Sequence, residues 1–174
     1  MVPAQIKGAR ADLAAKLAET NSPMDYWNKH TTHELYDYYN DNVISSLQWF
    51  HFQNLQHEKV KIIFVPSYLN GNDGIFNKTY WDLLIGMDIT VFPSYYEPWG
   101  YTPLESVAFF FFFFTTDLSG FGQWVKDNCE KKCGAGVVHR SDYNISEVTS
   151  EIGRVLFEFS SKSEKERNEA KKNA

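Results

Sequence analysis

Residues 89–106 constrain the fold more than any other part of the chain. The segment begins with Ile89–Phe92, whose β-branched and aromatic residues are typical of a buried strand. It ends in a predicted helix start, with Thr102 as N-cap, Pro103 at the first helical position and Glu105 closing a capping box. The loop between strand and helix is where open α/β sheets bind ligands, and helix N-termini there favour anions such as phosphate.

Other segments continue the alternation of strands and helices. Residues 60–65 predict a buried strand, and residues 134–139 predict a turn and a short strand. Helices are predicted at residues 9–17, 43–55, 79–87, 123–128 and 144–159, with Asp41 or Asn42 capping the second and Thr79 capping the third. Continuous apolar strands between helices indicate a parallel sheet covered on both faces, so the predicted fold is a doubly wound α/β domain.

A run of six phenylalanines occupies residues 109–114, directly after the helix predicted from Pro103. A helix that leads into a strand usually ends at a glycine, often followed by a proline. The run supplies neither signal, and identical rings offer no graded shapes for packing. The pattern favours an engineered or misassigned segment, with a strand reaching Thr116 as the alternative, and we assign it no function.

Composition excludes several classes of protein. The formal charge is −5, and the basic residues concentrate near the end of the chain, so nucleic-acid binding is not expected. The longest apolar run, residues 107–114, is too short to cross a membrane, and the first residues do not resemble a secretory signal. Cytoplasmic residence is therefore predicted.

The cysteines and histidines do not predict a metal site. Cys129 and Cys133 lie four residues apart, and two reduced surface thiols are favoured over a shared metal or a disulfide, because no second ligand pair lies nearby. His30 and His33 have no further histidine or cysteine near them in sequence. We therefore expect no bound metal.

The loop carries a motif that resembles a known family. The motif reads Glu97-Pro98-Trp99-Gly100-Tyr101-Thr102-Pro103-Leu104-Glu105. It is similar to the paired-glutamate signature of retaining glycosyltransferases with two Rossmann-like domains. The longer string from Phe92 to Pro103 resembles the glycogen synthases of the fungal and animal type, which also occur in some bacteria. Weaker matches lie at residues 32–33, 60–64, 80, 86 and 115–122.

The resemblance implies an architecture and a substrate. Residues 1–174 would be part of the carboxy-terminal, Rossmann-like, nucleotide-sugar-binding domain of a two-domain (GT-B) enzyme. The donor would be UDP-glucose or ADP-glucose, and no cofactor or metal would be needed, because the helix dipole and basic side chains stabilise the leaving diphosphate. The acceptor, an α-glucan, would lie mostly against an amino-terminal domain that this sequence does not contain.

The resemblance also implies roles for individual residues. Glu97 would hold hydroxyls of the donor glucose and support charge at the reacting carbon, and Glu105 would contact the ribose or orient that site. These two are the predicted catalytic residues. Aromatic rings would pack on the base, and the helix start would donate hydrogen bonds to the phosphates. The predicted substrate-binding residues are Tyr80, Trp99, Gly100, Tyr101 and Thr102.

Some family features are absent, and alternatives stay open. The basic residues that grip the diphosphate and the regulatory arginine-rich helix are not found, which favours a fragment of an unregulated, bacterial-type enzyme. A non-catalytic nucleotide-binding module is the second hypothesis, and a glycoside hydrolase using Glu97 and Glu105 is the third. Glu105 could also serve only its capping box. An unpaired sheet edge would favour homo-oligomers.

Overall fold

The computed structural model describes residues 30–31, 33–55, 57–129 and 134–172. The chain divides into two compact units, Met1–Gly86 and Met87–Ala174, which are considered separately below. The helix predicted at residues 9–17 lies outside the described residues. The prediction that residues 1–174 form part of one nucleotide-sugar-binding domain is not tested by this division and stays a prediction.

The first unit contains two short α-helices. Helix α1 (Asn42–Trp49) begins at Asp41, whose carboxylate accepts hydrogen bonds from the backbone N–H groups of Val43 and Ile44, at 2.9 and 3.0 Å. Ile44 and Leu47, three positions apart, are its buried residues. Helix α2 (Tyr80–Leu84) begins at Thr79, whose hydroxyl accepts from the N–H of Asp82. Both caps agree with the predictions, whereas the helices end at Trp49 and Leu84, earlier than the predicted residues 55 and 87.

Residues 60–65 do not form a strand, contrary to the prediction. The Asn54 side chain donates to the carbonyl of Ile62 at 2.7 Å and accepts from its N–H at 2.8 Å. The N–H of Phe64 donates to the carbonyl of His30 at 2.7 Å. A side-chain amide thus occupies both backbone groups of Ile62, which a neighbouring strand would otherwise pair. Apolar composition predicts burial here, but a strand also needs a partner.

The second unit is built on a parallel three-stranded sheet. The strands are β1 (Ile89–Phe92), β2 (Phe112–Thr116) and β3 (Ala135–Val138), in that spatial order. The helices of this unit are α3 (Tyr101–Ala108), α4 (Gly120–Asn128), α5 (Ile145–Ser161) and α6 (Glu164–Lys172). Helices α3 and α4 connect consecutive parallel strands, as parallel sheets require. The α/β prediction is confirmed.

Side chains of β2 alternate between the two faces of the sheet. Phe113 is fully buried and packs on Phe121 and Val125 of α4. Phe112 points to the opposite face, where its ring lies 5.6 Å from that of Phe159 in α5. Helices therefore cover both faces, which is the doubly wound arrangement.

The phenylalanine run is divided between a helix end and a strand. Helix α3 ends at Phe109, and Phe110 adopts a left-handed backbone with a φ of 60°. The N–H of Phe110 donates to the carbonyl of Val107, and that of Phe111 to Ser106, both at 2.9 Å. This pair of bonds is a Schellman motif, whose left-handed position usually holds glycine. The run thus forms a helix stop without the expected residue, and the alternative prediction, a strand reaching Thr116, is the one observed.

The last phenylalanine of the run needs a small residue on the neighbouring strand. Phe114 lies opposite Gly136 in the register of β2 and β3. A Cβ atom at Gly136 would lie 2.4 Å from a ring carbon of Phe114. The large ring is accommodated because its partner has no side chain.

Cys129 is disulfide-bonded, so the prediction of a reduced thiol is wrong for this residue. It lies at the extended C-cap of α4, half-buried against the Phe113 cluster rather than at the surface. In the part of the chain that the structure describes, no helix is long and apolar enough to cross a membrane.

Candidate functional site

Two loops meet at the carboxyl edge of the sheet and place Glu97 between them. One loop, residues 93–100, follows β1, and the other, residues 117–119, follows β2. The N–H of Glu97 donates to the carbonyl of Leu118 at 3.2 Å, and the carbonyl of Glu97 accepts from the N–H of Gly120 at 3.2 Å. Both backbone groups of Glu97 are therefore fixed by the neighbouring connection, in a bridge that resembles strand pairing.

Gly120 allows the two loops to approach closely. A Cβ atom at Gly120 would lie 2.4 Å from the carbonyl oxygen of Pro98, closer than atoms can pack. The rings of Trp99 and Phe121 complete the contact, edge to face, with centroids 5.8 Å apart. The small residues after β2 thus support the Glu97 loop, a function that the sequence pattern did not reveal.

The carboxylate of Glu97 is half-buried and lies close to the start of α3. Its Oε2 accepts a hydrogen bond from the hydroxyl of Ser94 at 3.0 Å. A Cβ atom at Gly100, the residue that begins the helix, would lie 3.6 Å from the same oxygen. The second carboxylate oxygen has no hydrogen-bond partner among the described residues, which leaves it available to a ligand.

Helix α3 begins two residues earlier than predicted. Its N-cap is Gly100, in a left-handed conformation with φ of 106°, and no side chain caps the helix. Thr102 is therefore not the N-cap, and Pro103 occupies the third helical position rather than the first. Proline is tolerated there because the N–H groups of the first turn lack intrahelical partners in any case. The uncapped N-terminus faces the loop that holds Glu97.

Glu105 does not close a capping box. It is the fifth residue of α3, too far into the helix to reach back to Gly100. Its carboxylate is half-buried and has no hydrogen-bond partner among the described residues. Burial raises the pKa of Glu105 above its ordinary value. The capping role that could explain this residue without a ligand is thus excluded.

Four aromatic rings of the loop and of the first helical turn are exposed to solvent. Their residues are Tyr95, Tyr96, Trp99 and Tyr101. Rings that only covered the end of the sheet would be buried, so the exposure favours a flat ligand over a purely structural role. Tyr80, the remaining ring among the predicted substrate-binding residues, belongs to the Met1–Gly86 unit, where it packs edge to face on Trp81 at 5.2 Å.

A polar cluster missed by the sequence analysis lies at the ends of β2 and β3. The side chain of Asp117 is only 7% exposed and accepts hydrogen bonds from the N–H of Arg140 at 2.9 Å, from Nδ1 of His139 at 2.8 Å and from Nζ of Lys126 at 3.0 Å. Burial raises the pKa of Asp117, but these hydrogen bonds and the Lys126 charge outweigh it and lower the net pKa. No local pattern around Asp117 could have shown this cluster.

The side chain of Arg140 reaches the Glu97 loop. Its Nη1 donates to the carbonyl of Pro93, and its guanidinium lies over the ring of Tyr95, 5.1 Å from the ring centre. Over the described ranges, no group of three or more His, Cys, Asp or Glu side chains could hold a metal ion. The expectation that no metal takes part stays a prediction.

The arrangement suits a ligand that combines an anion, hydroxyl groups and a flat ring. The uncapped start of α3 favours negative charge, and the two half-buried carboxylates can accept hydrogen bonds from hydroxyl groups. The exposed rings offer stacking surfaces. The structure brings Glu97, Trp99, Gly100, Tyr101 and Thr102 into one loop and helix start, with Glu105 one turn further along.

Comparison with known proteins identifies one family. The sequence model described as glycogen synthase matches residues 20–174. Glycogen [starch] synthase isoform 1 of Saccharomyces cerevisiae is 34% identical over 140 residues, which are 78% of this chain and 20% of that protein.

Two further relatives agree. Glycogen [starch] synthase of Neurospora crassa is 31% identical over 138 residues, covering 78% of this chain and 20% of the relative. The liver enzyme of Mus musculus is 31% identical over 139 residues, covering 79% and 20%. The chain thus spans about a fifth of the length of the curated relatives it matches.

Proposed function

Because the chain belongs to the glycogen synthase family, we propose that it is the nucleotide-sugar-binding part of a retaining glucosyltransferase. The complete enzyme transfers glucose from UDP-glucose or ADP-glucose to the 4-hydroxyl of an α-1,4-glucan. The chain corresponds to part of the carboxy-terminal Rossmann-like domain of a two-domain enzyme, and the glucan contacts mainly the other domain.

One observation carries this proposal: the half-buried carboxylate of Glu97 lies beside the uncapped N-terminus of α3. A nucleotide sugar carries a diphosphate next to a sugar, so its two ends need opposite partners. The helix N-terminus attracts the diphosphate, and the carboxylate accepts hydrogen bonds from sugar hydroxyls. A Cβ added at Gly100 would lie 3.6 Å from Glu97 Oε2, so the helix start and the carboxylate are close enough to bind one such ligand.

In the proposed reaction, Glu97 orients the donor glucose and stabilises positive charge that develops at its anomeric carbon. A fixed carboxylate is effective here because its backbone is already held by Leu118 and Gly120, so little reorganisation is needed. Glu105 accepts hydrogen bonds from the ribose. The ligand would then supply the partners that the Glu105 carboxylate lacks among the described residues.

The leaving diphosphate is stabilised by the start of α3. The N–H groups of Gly100, Tyr101 and Thr102 and the hydroxyl of Thr102 donate to the phosphate oxygens. Trp99 and Tyr101 provide rings for the base, and the substrate-binding role of Tyr80, which belongs to the other unit, stays a prediction. We propose that no metal and no cofactor takes part, since the helix N-terminus and basic side chains elsewhere in the enzyme carry the compensating positive charge.

Two other functions were considered. A non-catalytic nucleotide-binding module remains the alternative for the chain on its own, because it spans about a fifth of its relatives. A hydrolase using Glu97 and Glu105 is the second alternative. Glu105 does not cap a helix, so a capping role is no argument against the hydrolase. The uncapped anion site and the family of the chain argue against a hydrolase instead.

Two further parts of the proposal concern the cellular location and the oligomeric state of the enzyme. We propose that the enzyme resides in the cytoplasm, and its membership of the glycogen synthase family supports this. Self-association through an open sheet edge is the proposed route to a homo-oligomer, because an unpaired edge offers free N–H and C=O groups.

The test is glucosyl transfer to glycogen by the full-length protein, with UDP-glucose and ADP-glucose as donors. Glu97→Gln keeps the size of the side chain but removes its charge, so we expect a loss of transfer of about 100-fold or more. Glu147→Gln, at an exposed position of α5, is the matched control and should transfer at the wild-type rate.

Calorimetric titration separates the alternatives. UDP or ADP should bind the wild type and the Glu97→Gln variant, because the nucleotide contacts lie elsewhere. Nucleotide binding without any transfer by the wild-type full-length protein would favour the binding module. Hydrolysis of glucan without nucleotide binding would favour the hydrolase.

A further inference from the structure

Arg140 connects two parts of the site that are distant in sequence. It lies just after β3, and its Nη1 donates to the carbonyl of Pro93, 47 residues away, just after β1. The guanidinium also lies over the ring of Tyr95 at 5.1 Å. The Arg140 side chain therefore holds the loop that leads to Glu97 at two residues, through the carbonyl of Pro93 and the ring of Tyr95.

The backbone of Arg140 is itself fixed. Its N–H donates to Asp117 Oδ1 at 2.9 Å, and the buried Asp117 accepts at its other oxygen from His139 and Lys126. Asp117 directly follows β2, so a rigid strand end anchors the residue. Arg140 thus presents its guanidinium from a fixed position rather than from a mobile loop.

The loop residue between the two contacts of Arg140 touches the carboxylate. Ser94 lies between Pro93 and Tyr95, and its hydroxyl donates to Oε2 of Glu97 at 3.0 Å. Its carbonyl is held by the hydroxyl of Thr116 at 2.6 Å. Displacement of Pro93 and Tyr95 would therefore move the side chain that, in the described part of the chain, donates a hydrogen bond to the Glu97 carboxylate.

We propose that Arg140 is a positioning residue for Glu97. It contacts the reacting groups only through the Pro93–Ser94–Tyr95 backbone and the Ser94 hydroxyl, and Asp117 fixes it from behind. This inference rests on the proposed function for its effect on the rate, whereas its effect on the loop can be measured independently.

The first measurement is kinetic and uses the full-length protein. Arg140→Met keeps the length of the side chain but loses its donors and its charge. We expect kcat for glucosyl transfer to fall roughly tenfold to a hundredfold, with KM for the nucleotide sugar changed by less than about threefold, because misplacement of a catalytic group affects the transition state. Arg140→Lys keeps a cationic donor and should recover part of kcat.

The matched control is Lys126→Met. It removes a positive charge from the same carboxylate, Asp117, without touching the loop at residues 93–100. Its kcat should equal that of the wild type. Combining Arg140→Met with Ser94→Ala should cost little more than Arg140→Met alone, because both act on Glu97 through the same contact.

The second measurement is amide hydrogen exchange of the segment at residues 93–100, which needs no activity. The protected N–H of Glu97 should exchange about tenfold faster in Arg140→Met and at the wild-type rate in Lys126→Met. Unchanged exchange in Arg140→Met would overturn the inference. So would a rise in KM with unchanged kcat, which would make Arg140 a ligand contact. If the wild type transfers no glucose but the exchange result holds, the proposed function fails and the positioning of the loop stands.

Discussion

Substitution of Phe110 by glycine and by alanine measures the cost of its left-handed backbone. Phe110 follows the end of α3 with a φ of 60°, and its side chain is 59% exposed. Both variants lose the same ring, so the partial burial of that ring cancels between them. The difference in unfolding free energy then reports on the backbone alone.

The magnitude follows from two opposing terms. A left-handed conformation costs a residue with a Cβ about 1–2 kcal/mol, whereas glycine adopts it without this energetic cost. Glycine loses about 0.5–1 kcal/mol more conformational freedom on folding. The centres of these two ranges differ by about 0.75 kcal/mol, so we expect Phe110→Gly to be more stable than Phe110→Ala by roughly that amount.

The assay is urea unfolding of the two variants, followed by tryptophan fluorescence. With a typical denaturant slope near 2 kcal/mol per molar, the midpoint of Phe110→Gly should lie about 0.3–0.5 M above that of Phe110→Ala. Gly153, inside α5 with nothing within 4 Å of an added Cβ, is the control. There alanine should be more stable than glycine by about 1 kcal/mol, so the sign reverses.

Equal midpoints for the two Phe110 variants, or a higher midpoint for alanine, would refute the reasoning. Either result would mean that the helix does not end with a left-handed residue at this position. The pattern of hydrogen bonds from Phe110 to Val107 and from Phe111 to Ser106 would then be wrong as well.

Three further predictions concern the site. Gly120→Ala places a Cβ 2.4 Å from the carbonyl oxygen of Pro98, so thermal melting should show that the free energy of unfolding falls by about 1–3 kcal/mol. Nucleotide binding should also be weaker. The lowered pKa of Asp117 means that its stabilising effect is complete above the unfolded value of about 3.9 and is lost as the pH falls through the folded value. Urea midpoints between about pH 5 and 2 should therefore fall more steeply for the wild type than for Asp117→Asn. Glu105→Gln should have a higher melting temperature than the wild type at pH 7, because burial raises the pKa of Glu105 and makes its charge unfavourable. The variant should nevertheless transfer glucose more slowly. A lower melting temperature would show that the carboxylate has a partner in the protein.

Local signals in the sequence predicted those features that depend on neighbouring residues. Asp41 and Thr79 cap their helices through N–H groups two or three positions away, so spacing alone was sufficient. The strand at Ile89–Phe92 was predicted with its observed bounds. The alternation of apolar strands with helices predicted the parallel sheet for the same reason, because each strand or helix has a local pattern of apolar residues.

The start of α3 was mispredicted because two local patterns competed. Thr102, Pro103 and Glu105 fit a capping box, whereas Gly100 gives only a weak local signal. The observed start depends on Gly100 packing within 3.6 Å of Ser119 and Phe121 atoms, measured from the Cβ position. Those residues follow β2, so tertiary contacts determine which of the two residues, Gly100 or Thr102, begins the helix.

The network around Arg140 could not be predicted for the same reason. Its partners Pro93 and Asp117 are 47 and 23 residues away in sequence. They come together only because β1, β2 and β3 are parallel and adjacent in that order. A sequence motif can therefore identify Glu97, but the residues that hold Glu97 in place are determined by the order of the strands.

The corrected helix start also changes the interpretation of Glu105. In a capping box this carboxylate would stabilise the helix, and its presence would need no ligand. In the structure it is half-buried and has no hydrogen-bond partner among the described residues. Burial raises its pKa, so its charge costs stability. A group that costs stability and lies on the helix that begins at a candidate site is favoured as a functional group over a structural one. The error in the predicted cap therefore strengthens the proposed role of Glu105 as a ligand of the nucleotide sugar.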